Sequence, residues 1–122
     1  GSSKILVSDP SRTMVDLLDD PHLAGSMTVV RELFEQYLES DYKNVSLMIE
    51  YATKLGNKVV FKRLGFLLEV ISNEKPELLE AIQKKISKGY SKFDPAVENE
   101  KFIRRWNLSV PTYWQEEYGR KK

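Results

Sequence analysis

The chain contains no cysteine. It therefore folds without disulfides and offers no thiolate nucleophile, a usage that suits a reducing cytoplasm. Histidine occurs once, at His22 in a proline-led turn, so neither a zinc cluster nor a Ser–His–Asp set with a spare histidine can be assembled. GxxxxGK[ST] and GxGxxG are both missing, which removes the usual phosphate cradles. No apolar run approaches the roughly 18 residues of a membrane span, and nothing resembles a secretory signal. These absences argue against an enzyme: no residue is assigned as catalytic or metal-binding, and no cofactor is implied.

What is present is a 122-residue chain, 41% hydrophobic and 30% charged, sized for one domain with one core. Gly1-Ser2-Ser3 reads as a cloning scar, leaving 4–122 as the domain. The net charge of +1 hides a segregation. Residues 1–41 carry three Lys/Arg against eight Asp/Glu, and residues 42–122 carry sixteen against ten. Either the two parts pair on folding or they place opposite potentials on two faces.

Apolar spacing predicts about five helices. The first begins after Ser8-Asp9-Pro10, where Asp9 or Ser8 caps and Pro10 lacks an N–H that the helix does not need. A turn over Pro21 to Gly25 precedes a helix capped by Ser26. The longest periodic stretch, Asn44 to Ser72, divides at Gly56 into two helices with buried apolar faces, and the chain is organised around that pair. Pro76 opens the fifth. After Gly89 the texture changes to period two in YSKFD and RWNLSV. With KILVS at the N-terminus these make a small antiparallel sheet, so the expected class is α+β, mostly helical. Trp114 is expected to pack back on the domain, with the last few residues frayed.

Four basic residues crowd the helix pair. Lys58 and Lys62 stand four apart, a like-charge spacing that costs about 0.2–0.5 kcal/mol in an isolated helix; Arg63 is adjacent, and Lys54 follows Glu50 in the favourable order. Such a group suits phosphates or an acidic protein surface, and its bland alternative is a solvated face. A helix–turn–helix does not explain it. The pattern of Ala52 and Gly56 demands buried apolar residues where Lys62 and Gly65 stand. Gly65 itself costs about 1 kcal/mol relative to alanine inside a helix, a cost that close approach of another element would explain. Arg12, in the first helical turn, is opposed by the helix dipole and calls for compensation by Asp16, the acidic cluster or a partner, with a partly buried ion pair, for which Asp16 is placed, as the expected account. The carboxylates Asp9, Asp16, Asp19 and Asp20 form the best Mg²⁺ candidate, yet each has a duller role as cap, pair or helix end.

With these residues laid out, SDPSRTMVDLLDDPHLAGS, YATKLGNKVVFKRLGFLLE, GYSKFDP and RWNLSV resemble, in that order, the C-terminal domain of AbiEi-type antitoxins. The resemblance spans Val7 to Val110. Ser11 departs from the family's usual glutamate and Pro111 from its closing asparagine. The resemblance implies a type IV toxin–antitoxin system of phage abortive infection: a cytoplasmic transcriptional regulator that counteracts a nucleotidyltransferase-like toxin without a required stable complex. The family's N-terminal winged helix is expected to be absent here. Arg12, Asp16, Arg63 and Glu69 are the matched motif positions, with ion-pair roles as the simpler account. Two further readings stay open: an interaction or homodimerisation module of a regulator, and a metal-dependent nuclease or nucleotidyl-transfer enzyme built on the four aspartates.

Overall fold

The structure, a computed structural model, describes residues 9–121. Helix α1 spans Pro10–Asp19, with Asp9 as N-cap accepting from Ser11 N at 2.9 Å. A single 3₁₀ turn at Pro21–Ala24 leads to α2, Met27–Glu39, capped by Ser26 through Val29 N. Helix α3, Val45–Leu55, starts on the Asn44 side chain and ends at Gly56, whose φ of 83° needs a residue without a Cβ. Helix α4 covers Val59–Ile71, and α5, Pro76–Gln83, opens on its proline. Where α1, α2 and α3 meet, the Tyr37 hydroxyl accepts from Asn44 N at 2.7 Å and bonds Ser11 Oγ at 2.6 Å. Ser11 is thus a buried polar link between helices.

Helix α4 is the axle of the molecule. Every residue from Val60 to Val70 is buried, including Lys62, Arg63 and Glu69. Met14, Leu18, Phe34, Met48, Ala52, Ile82 and Trp106 belong to the same core. Each large apolar side chain buried there contributes about 1.5–3 kcal/mol. This sequestration also disposes of a recognition-helix role for α4 in a way that the turn pattern does not. A helix with no open face cannot enter a groove of DNA.

The sheet is smaller than expected and its pairing differs. Strand β1 is Ser91–Lys92, β2 is Lys101–Ile103 and β3 is Leu108–Val110, in the order β1-β3-β2. β1 runs parallel to β3 and β2 antiparallel to it, so the sheet is mixed rather than antiparallel. The reason is the excursion after Asp94, which supplies the hairpin partner β2 and leaves β1 to join from the other side. Of RWNLSV only the last three residues are strand; Arg104–Trp106 forms a 3₁₀ turn that swings Trp106 into the core. The strand expected over KILVS lies outside the described residues. A sixth helix, α6 at Thr112–Lys121, carries Trp114, which is buried as expected, in edge contact with Phe93 at 4.7 Å. Among the described residues no helix is long and apolar enough to cross a membrane.

Candidate nucleic-acid interface

The basic residues of the helix pair separate into two populations. Lys62 is fully buried. Its ammonium donates to Gly89 O at 2.9 Å and to Ser91 Oγ at 2.8 Å, with no carboxylate within ion-pair distance among the described residues. Burial pushes its pKa down. Arg63 is 5% exposed and donates from Nη1 to Leu18 O at 2.7 Å and from Nη2 to Lys92 O at 2.9 Å. The first of these satisfies a carbonyl in the last turn of α1, where a cation is also favoured by the helix dipole. Burial lowers the Arg63 pKa, opposed at longer range by Asp19, Asp94 and Asp20. Its Nε has no partner. Lys62 and Arg63 are therefore not members of a binding face. They are interior clamps that tie α4 to the end of α1 and to the strand β1 segment.

Lys58 does stand in solvent, and its basic neighbours, Lys84 and Lys85, come from the turn that follows α5. A shallow cavity of about 250 Å³ is lined by Thr53, Gly56, Lys58, Phe61, Lys84 and Lys85. Lys85 Nζ lies 5.9 Å from the centre of the Phe61 ring, in cation–π range. Lys84 and Lys85 escaped the sequence reading, although the signal was there: Lys84 to Phe93 holds four lysines and no acid. Lys62 and Arg63 hold the carbonyls of Gly89 and Lys92, and Lys84, Lys85, Lys88 and Lys92 of the same segment remain exposed.

Lys54 belongs elsewhere. It lines a separate cleft of about 350 Å³ with Arg12, Val15, Asp16, Tyr51 and Leu55. Arg12 and Asp16 are both exposed there, and no ion pair joins them. The expected pair is thus overturned. The carboxylate next to Arg12 in electrostatic terms is Asp9, held below its ordinary value by the Tyr51 hydroxyl, then by the N–H groups of Ser11 and Arg12 and by the Arg12 charge.

Glu69 is a hub. It accepts from Trp106 Nε1 at 2.8 Å and from Arg105 Nη1 at 2.6 Å. Burial pushes the Tyr118 pKa up, and its hydrogen bond to Glu69 pushes it further. The ion-pair expectation for Glu69 is met through Arg105, not through another matched motif position. One turn earlier on α4, a Cβ on Gly65 would sit 2.1 Å from the Trp106 ring. Close approach of the indole is what the glycine serves.

The four aspartates are dispersed into local duties. Asp9 caps α1, Asp20 accepts from His22 N at 3.2 Å, Asp19 accepts from Asn57 Nδ2, and Asp16 faces solvent. Among the described residues no group of three or more acidic, histidine or cysteine side chains could hold a metal ion. None of the four ion pairs among the described residues joins an acid of 1–41 to a base of 42–122, though Asp16 and Lys54 share a cleft and Asp19 and Asp20 act on Arg63 at longer range. A groove between α2 and the end of α4 gathers Glu32, Glu35 and Glu39 with Lys43.

These features define a mostly helical α+β domain with interior cations, one exposed lysine cluster and an acidic groove. Compared with known families, curated proteins and solved structures, the chain matches none of them.

Proposed function

We propose that the chain is an AbiEi-type antitoxin domain that counteracts a nucleotidyltransferase-like toxin in the cytoplasm and supports operon autoregulation, by binding rather than catalysis. One observation carries the reading. The motif pieces RLGFLLE and RWNLSV, separated by α5, β1 and β2, interlock through Gly65 against the Trp106 ring and through Glu69 on Trp106 Nε1. Residues that carry the resemblance thus depend on one another in space, as the parts of one domain signature should. Arg63, the other matched position on α4, anchors the same helix to α1.

The binding surface in this reading is the cluster Lys58, Lys84 and Lys85, which suits phosphates or an acidic protein surface. Growth rescue tests it. Co-expression of the chain with a nucleotidyltransferase-like toxin encoded beside it restores colony formation, and Lys58→Glu/Lys84→Glu/Lys85→Glu removes the rescue while circular dichroism stays native. A wild-type chain that gives no rescue overturns the antitoxin reading; a triple variant that rescues fully overturns the choice of surface.

A further inference from the structure

The outer face of the three-stranded sheet combines exposed aromatic rings with cations. Register places Lys92 of β1, Ser109 of β3 and Phe102 of β2 in one row across the sheet. Residues paired in this way point to the same side. The neighbouring row, Ser91, Leu108 and Ile103, lies on the core side, with Leu108 and Ile103 buried. Period two then puts Tyr90 on the same side as Lys92, and the Tyr90 ring meets Phe102 edge-on at 4.9 Å. Phe102 is 63% and Tyr90 48% exposed. Two large rings held in solvent on a sheet are an unusual use of apolar area.

Cations lie beside the rings in sequence: Lys88, Lys92 and Arg104 are exposed, with Lys92 in the same row as Phe102, whereas Lys101 pairs with Val110 and belongs to the other side. Of the nearby acids, Glu100 is engaged by the Thr112 N–H and hydroxyl at 2.8 and 3.0 Å, and Asp94 by Ala96 N. These bonds fix the two carboxylates in place, and those on Glu100 favour its ionised form, while Glu98 adds a further acid on that loop. Rigidity comes from beneath, where buried Lys62 and Arg63 hold Gly89, Ser91 and Lys92.

We infer that this face, centred on Tyr90 and Phe102, is a stacking platform for single-stranded nucleic acid. The rings offer π-faces and edges to unpaired bases, and the surrounding lysines and Arg104 track the phosphates. Stacking of this kind tolerates any base sequence and requires that the base be free of a partner strand. Two rings in solvent with Lys92 in the same row combine a stacking surface with positive charge, the pairing that single strands use. The surface adjoins the lysine cluster along the chain but does not depend on the antitoxin reading.

The test is fluorescence anisotropy of a labelled 12-nucleotide oligothymidylate titrated with the full chain at low salt. Phe102→Ala and Tyr90→Ala are each expected to weaken binding at least five-fold, with Phe102→Trp restoring it. Lys92→Gln should weaken binding and lower the slope of log affinity against log salt by about 1. The same strand in a duplex should bind at least ten-fold more weakly. Equal affinity for duplex and single strand, indifference to Phe102→Ala, or no binding to oligothymidylate would each overturn the platform. Growth rescue that persists in Phe102→Ala leaves the antitoxin reading untouched, so the two proposals fail separately.

Discussion

Gly65 lets the Trp106 ring approach α4 where a Cβ would collide with it, and the balance at that position can be worked out. Alanine would gain about 1 kcal/mol of helix propensity. Its methyl carbon would also lie 2.1 Å from the indole, far inside contact distance, and overpacking of that kind costs about 1–3 kcal/mol or more. Trp106 cannot retreat easily, because its Nε1 is held by Glu69. Gly65→Ala is expected to lose about 2 kcal/mol net, read as a lower urea midpoint with an unchanged slope. Lys62 gives a pH signature. Its folded pKa lies below the ordinary 10.5, so between those values the unfolded chain binds more protons and stability rises with pH. In urea titrations from pH 7 to 10, the wild type should therefore gain stability relative to Lys62→Met as pH rises. A difference independent of pH would mean that the ammonium is solvated in the native state.

Among the elements, α6 depends most on a few contacts. Arg31 of α2 pairs with Glu117 at 2.6 Å and lies over the Trp114 ring at 5.2 Å, which fastens the helix across the core. Arg31→Ala should cost about 1 kcal/mol and speed amide exchange in α6 before other helices. The Arg31 hydrogen bond holds Glu117 below its ordinary 4.5, so the contribution is present above that pH and fades as pH falls below it. The difference between wild type and Arg31→Ala should shrink accordingly in acid. Helices α1 to α5 were legible because their apolar residues recur at helical spacing and their ends carry Asp9, Pro10, Ser26, Asn44, Gly56 and Pro76. Period two in YSKFD and RWNLSV did mark β1 and β3, but β2 and the parallel pairing were not legible, since a three-residue strand is too short to show alternation and nothing local distinguishes a parallel from an antiparallel neighbour. Helix α6 hid behind its polar composition, although Trp114 and Tyr118, four apart, both pack on Phe66.

At the scale of the whole molecule, the candidate site was legible only in part. Like charges spaced along a helix look the same in sequence whether they face water or a set of carbonyl oxygens. Lys62 and Arg63 meet carbonyls that come from residues 18, 89 and 92, and no local pattern announces such distant acceptors. Lys58 was read correctly as exposed, but its company from the turn after α5 needed the tertiary arrangement. The buried α4 carries a warning for genetics. A screen for loss of function would score heavily in that helix, because damage to it displaces the lysine cluster and the sheet face together. Those hits would trace the frame on which contact surfaces are mounted, and the surfaces themselves would emerge only from variants that leave the frame intact.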